Sequence, residues 1–258
     1  MIKLKSLLPI INEVVDDKGI LKAIFLAGGP GSGKTWVTRG LYGIPKKYNF
    51  SPGHGLKLVN QDTELEFLLN KYFGTTDLDN MPEELFADIT GVDFDGKDVE
   101  MNSCMRAYAK SLTKARMENY VRGRLGVIID GTGHKYQSIA KKKQRFEDLG
   151  YDCYMVFVNT SLEIALQRNS ERDRVVPEKI VRDSWQDVQQ NLGGFQRLFG
   201  RNFIIVDNSK KRDEDSAKGF FESLVKQGIN KFAKAPVKNS IGKKWIKRAR
   251  LLKKQGIK

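Results

Sequence analysis

The chain has 258 residues, 40% hydrophobic and 29% charged, enough for one substantial α/β core with an appendage. No apolar run approaches the roughly 20 residues that span a bilayer, and the two cysteines, Cys104 and Cys153, lack metal-type spacing and suit a reducing, cytoplasmic setting. The net charge of +14 is unevenly placed: residues 231–258 hold nine Lys and two Arg without an acid, whereas residues 77–100 hold nine acids against Lys97 alone.

At the N-terminus Lys3 and Lys5 precede Leu7-Leu8-Pro9-Ile10-Ile11, but the run is short, has no small-residue cleavage site and gives way to Glu13, Asp16 and Asp17. The expectation is a short helix within residues 1–20, packing Leu8, Ile11 and Val15 on the core, and not a secretory signal. An apolar strand, residues 23–27, then leads into GGPGSGKT at residues 28–35. This fills the pattern G-x-x-x-x-G-K-[ST] and is followed by helix-forming residues 36–41. Gly28, Gly29, Pro30, Gly31, Ser32 and Gly33 supply a tight backbone turn whose N–H groups point inward at phosphate oxygens. Lys34 reaches the β- and γ-phosphates of ATP, and the Thr35 hydroxyl is a ligand for Mg²⁺. The helix behind the loop adds a dipole that favours anions.

A second strand, 56–59, ends in Asn60-Gln61-Asp62-Thr63, and a helix follows over 64–73. The acidic stretch 75–100, broken by Gly91 and Gly96, reads as a loop-like insertion. A long helix spans 101–124, with Met101, Met105, Tyr108, Leu112 and Ala115 expected on its buried face. Strand 126–130 closes on Asp130 and Gly131-Thr132-Gly133, and helix 136–149 leads to strand 152–158. Helix 162–169, an Arg-rich turn carrying Arg168, Arg172 and Arg174, helix 177–191 and strand 203–206 complete a kinase domain over residues 21–210. Residues 211–258 read as a basic helical extension.

Apolar strands alternating with helices indicate a mainly parallel sheet covered on both faces, a P-loop NTPase three-layer sandwich with an Arg-rich lid. Ligands in such sheets lie beyond the carboxyl ends of the strands, where residues 28–35, Asp62, Asp130 and the 207–210 turn all fall. Phosphoryl transfer needs positioning and charge neutralisation. Asp62 is placed to accept the hydrogen bond of an incoming hydroxyl, or else merely caps its helix. Asp130 stands near the Mg²⁺ or the acceptor. Arg168 and Arg172, four apart, present guanidinium forks to phosphate, with Arg174 beside them. Asn208, after the last strand, is a candidate contact for the nucleotide base. His54 and His134 are too isolated to argue a metal site.

In order, GGPGSGKT, Gln61-Asp62-Thr63 and Asp130-Gly131-Thr132-Gly133 resemble the successive blocks of zeta-toxin kinases. Arg168-Asn169-Ser170 with Arg172 and Val176-Pro177, like Asn60-Gln61-Asp62, resembles phage polynucleotide kinases. The similarity covers about residues 22–210, with Leu65 standing where those kinases place an Arg. The resemblance implies that Asp62 is the base for the acceptor hydroxyl. It also implies that Lys34 and Arg172 stabilise the transferring phosphoryl and that Asp130 assists acceptor or metal. The expected activity is an ATP-dependent kinase acting on a hydroxyl of a nucleic acid or nucleotide-type substrate, with residues 231–258 drawn to the polyanion. A nucleotide-sugar kinase and a DNA-binding assembly ATPase are the alternatives.

Overall fold

The architecture is that of a computed structural model describing residues 15–74, 82–91, 104–171, 178–227 and 231–255. β1 (Lys22–Ala27) is buried at every position. That requires cover on both faces and places it inside the sheet, not at an edge. Among the described residues the sheet has five strands, in the order β2-β3-β1-β4-β5, with β2 (Lys57–Val59), β3 (Val127–Ile129), β4 (Asp152–Asn159) and β5 (Phe203–Asp207). All neighbours are parallel, Ala23 pairing with Val127 on one side and Cys153 on the other.

Side chains alternate across the sheet. Ile24, Leu26, Val156 and Val158 meet α1 (Lys34–Tyr42) and α8 (Glu214–Lys226) through Val37, Leu41 and Leu224. Phe25, Met155 and Phe157 face the other way onto α5 (Tyr136–Asp148) and α7 (Glu178–Phe199), through Phe146, Phe195 and Phe199. A separate apolar cluster joins α2 (Gln61–Phe73), α3 (Glu83–Thr90) and α4 (Met105–Arg122) beside the sheet, with Leu65, Leu69, Ile89 and Ala109 at its centre. α6 (Leu162–Ser170) is capped by Ser161, whose hydroxyl accepts the Ile164 amide at 3.3 Å.

Three expectations need correction. The acidic insertion contains a helix, α3, ended by Gly91 at φ 81°; Leu85, Phe86 and Ile89 share the face that packs on α2 and α4, a spacing hidden among the acids. α4 turns a different face inward. Met105 and Leu112 pack on the helical cluster as expected, but Tyr108 is half exposed and Ala115 exposed, and Ala109, Met117 and Val121 are buried instead. Met101 lies outside the described residues, as do Leu8 and Ile11 of the expected N-terminal helix, while Val15 is buried. α7 also runs eight residues beyond Asn191.

The C-terminal segment is part of the packed body. In α9 (Lys231–Lys234) the Phe232 ring stacks on Tyr154 with centroids 4.3 Å apart. α10 (Ser240–Lys254) lays Trp245, Ile246 and Ala249 against the cluster of Phe25, Phe146 and Phe199 on the α5 and α7 face of the sheet. Its approach is close: a Cβ on Gly242 would stand 2.2 Å from the Gly150 carbonyl oxygen.

Candidate active site

The loop between β1 and α1 is built on glycine for steric reasons. Gly31 has φ 74°, and a Cβ there would lie 2.1 Å from the Ala165 carbonyl oxygen; Gly33 has φ 78°, and a Cβ would lie 2.5 Å from Asn208 Nδ2. The loop therefore sits directly on α6 and on the turn after β5. Lys34 Nζ folds back to donate to the Gly28 and Gly29 carbonyls, at 2.7 and 3.1 Å. Among the described residues the buried Ser32 hydroxyl has no hydrogen-bond partner, an orphaned polar atom in the wall of the cradle.

Asp130 follows β3, beside the loop. Its amide donates to the Val59 carbonyl at 2.9 Å, its Oδ2 accepts from Asn60 Nδ2 at 3.0 Å, and the Thr35 hydroxyl stands beside the same carboxylate and favours its ionised form. Burial pushes its pKa above the usual carboxylate range; the Lys34 ammonium opposes that and the neighbouring Asp62 adds to it. Asp62 stands in the first turn of α2, exposed to the same cleft. Its helix begins at Asn60, whose Oδ1 accepts the Asp62 amide at 2.8 Å. The cap is thus Asn60, and the Asp62 carboxylate is not the capping group.

Lys34, Thr35, Asp62, Asp130, His134 and Asp187 share one cleft of about 1000 Å³. That volume accommodates a triphosphate with an acceptor. The Gly28 amide donates to the Thr132 carbonyl at 2.9 Å, and Asn191 Nδ2 donates to the Gly133 and His134 carbonyls at 3.0 and 2.9 Å. These bonds fix the segment after Asp130 between the phosphate loop and α7. His134 is hydrogen-bonded through Nδ1 to Thr132, and burial holds its imidazole below the usual range. Asp187 and Asn191 are residues at the site that the sequence reading did not name, and it gave no role to Asn60, quoted only within a motif, or to His134, set aside as a metal ligand. Only Asn60, as a cap-forming residue before an amphipathic run, carried a local signal.

Arg168 belongs to the site's nucleotide side but spends its fork on protein: Nη1 donates to the Asn208 carbonyl at 2.8 Å and Nη2 to the Lys210 carbonyl at 2.9 Å. Asn208 is buried, its Nδ2 donating to the Ser32 carbonyl at 2.8 Å and its Oδ1 accepting from Arg212 at 3.0 Å. Its side chain braces the phosphate loop, a different use from the base contact expected. Arg172 and Arg174 lie outside the described residues.

The residues present fit ATP and Mg²⁺. The glycine cradle, the orphaned Ser32 hydroxyl and the inward Lys34 suit a triphosphate. Thr35 and Asp130 offer hard oxygen donors in mutual contact. Among the described residues no group of three or more His, Cys, Asp or Glu is placed to hold a metal ion.

α10 lies elsewhere. It packs on Leu21, Gly150 and Tyr151, at the amino ends of β1 and β4, whereas the cleft is at the carboxyl ends. The six residues of β1 put about 20 Å between the two.

A family described as an AAA domain matches residues 24–194, more than half of the chain. The chain belongs to this family. Its fold is shared with a chain of the AvrRxo1-ORF1:AvrRxo1-ORF2 complex solved with sulphate ions, which superposes with a TM-score of 0.53 at 15% identity, covering 80% of this chain and 62% of that one. The Pnkp1/Rnl/Hen1 RNA repair complex gives a TM-score of 0.45 at 18% identity, over 68% of this chain and 46% of that one. The PezAT toxin–antitoxin system of Streptococcus pneumoniae gives 0.47 at 13% identity, over 89% and 92%. The AAA-family chain thus spans less than two thirds of the first two. No curated protein matches it by sequence. Among the described residues no helix is long and apolar enough to cross a membrane.

Proposed function

We propose that this chain is an ATP-dependent kinase that transfers the γ-phosphoryl group to a hydroxyl held against Asp62. One observation carries the reading: Asp62 and Asp130, distant in sequence and on different strand ends, share a cleft with Lys34 and Thr35 and are tied to one another through Asn60. The loop amides and Lys34 hold the phosphates, and Lys34 exchanges its carbonyl partners for phosphate oxygens. Thr35 and Asp130 would hold Mg²⁺, which would supply positive charge against the phosphates. Asp62 takes the proton of the acceptor hydroxyl as its oxygen bonds to the γ-phosphorus and the bond from that phosphorus to the β–γ bridging oxygen breaks, leaving ADP. Arg172 and Arg174 are assigned the lid, closing the cleft from water.

The acceptor is assigned to the nucleic-acid or nucleotide class and the protein to the cytoplasm. α10 exposes Lys243, Lys244, Lys247, Arg248 and Lys254, a face suited to a phosphate backbone. At about 20 Å from the transfer point, that face touches an acceptor in the cleft only if the acceptor is a polymer. The test is γ-labelled ATP with a panel of DNA and RNA ends, hydroxymethylated DNA, nucleosides and nucleotide sugars, run on wild type and on a Lys244→Ala, Lys247→Ala, Arg248→Ala triple variant. Label transfer to a strand with a KM raised in the triple variant supports the polymer. Equal KM values for a nucleotide sugar point to a small acceptor, and no transfer to any hydroxyl removes the kinase reading.

A further inference from the structure

Asn60 ends β2 and caps α2, and its side chain uses both ends of the amide. Oδ1 accepts the Asp62 N–H at 2.8 Å, and Nδ2 donates to Asp130 Oδ2 at 3.0 Å. The orientation follows from chemistry. The Asp62 N–H only donates and an ionised carboxylate only accepts, so one of the two amide orientations serves both partners and the flipped one serves neither. β2 and β3 are adjacent, with Val59 in register with Ile129, so the chains leaving them emerge side by side. One planar group thereby spans the two acid-bearing strand ends. Few side chains meet the same demand. Asp caps a helix but has no hydrogen to give and would repel Asp130, Ser caps but is too short to reach across, and Ala does neither.

We infer that Asn60 is a positioning residue: it sets the spacing and orientation of Asp130 relative to Asp62, and so of the metal-side carboxylate relative to the proton acceptor. The roles of the two acids rest on the kinase reading above. Asn60 itself touches neither nucleotide nor acceptor and acts through Asp130. The competing account is a plain helix cap, worth about 1 kcal/mol of stability.

The two accounts separate on Asn60→Ser, which keeps the capping oxygen and removes the donor to Asp130. Wild type, Asn60→Ser, Asn60→Ala, Asp130→Asn and the Asn60→Ser/Asp130→Asn double variant are compared in three measurements. These are the thermal midpoint, ATP binding by calorimetry with and without MgCl₂, and steady-state ATP turnover. Asn60→Ser is expected to melt with wild type and to bind metal-free ATP normally, while losing about tenfold in magnesium-dependent tightening and in kcat, with KM for ATP little changed. Asn60→Ala melts lower yet loses no more kcat than Asn60→Ser. In the Asp130→Asn background, Asn60→Ser costs nothing further, because the partner it acts through is already altered.

Wild-type kcat and magnesium response in Asn60→Ser reduce Asn60 to a cap and overturn the inference, as do losses that multiply in the double variant. If wild type moves phosphate to no acceptor, the kinase reading falls while the magnesium-linked binding still tests Asn60. A wild type whose ATP binding ignores magnesium overturns both.

Discussion

Lys22 Nζ and Asp152 Oδ2 meet at 2.8 Å as register partners at the amino ends of β1 and β4, both side chains almost wholly buried. Asp152 also accepts the backbone amides of Lys238, at 2.9 and 3.1 Å to its two oxygens, and Asn239, at 2.8 Å. One carboxylate therefore pins the segment before α10 to the sheet. Burial lowers the Lys22 pKa and its bond to Asp152 opposes that, so the pair is a matched unit in which neither charge stands buried alone.

Asp152→Ala strands the Lys22 ammonium and frees two amides. It is expected to cost about 3–5 kcal/mol and to open the C-terminal segment to protease. Denaturant midpoints and limited proteolysis check this. A variant as stable as wild type would show that the packing of Phe232 and Trp245 alone holds the segment.

Lys34→Ala removes the ammonium proposed to hold the β- and γ-phosphates and is expected to abolish phosphoryl transfer without changing the fold, since its bonds to the Gly28 and Gly29 carbonyls lie within the loop itself. The check is turnover beside circular dichroism. Retained turnover refutes the role.

Asp62→Asn keeps the size of the side chain and leaves the cap on Asn60 intact. Turnover is expected to fall about 10²- to 10⁴-fold while ATP binding survives. An unchanged rate moves the base elsewhere in the cleft.

Gly31→Ala drives a Cβ into the Ala165 carbonyl from a left-handed backbone. Strain of about 1–3 kcal/mol is expected to distort the loop, so ATP affinity falls by more than the thermal midpoint does. Calorimetry gives the first and thermal melting the second.

Neutralising Lys244, Lys247 and Arg248 is expected to weaken DNA or RNA binding and flatten its salt dependence, by about 0.9 in the log–log slope per lost contact to a duplex phosphate. Substitution is the sound test here. Truncation near Asn230 would remove Phe232, Val237 and Trp245 from the core and confound binding with unfolding. Unaltered binding would take nucleic acid off this face.

Strands and helices on the main sheet were readable because each is a contiguous run with its own period. Strand 23–27 and residues 28–35 announce a phosphate loop with no help from the rest of the chain. α3 was obscured because its acids dominate the composition, although Leu85, Phe86 and Ile89 carry the face. The α4 face was misread because Tyr108 and Ala115 fit an apolar stripe, and only the position of α2 selects which stripe is buried. Asn208 looked like a ligand contact because nothing local indicates that Ser32, far back in the chain, takes its amide.

The sequence by itself determined that this chain carries a nucleotide loop on a parallel sheet and that its acids fall at strand ends, since glycine spacing and hydrophobic period are local properties. Only the tertiary structure decided that Asn60 joins Asp62 to Asp130, and that the basic α10 sits at the amino ends, away from the cleft. Those facts depend on which strands lie side by side and on where a buried Asp152 anchors the returning chain. Such pairings between distant residues leave no mark on the neighbours of either.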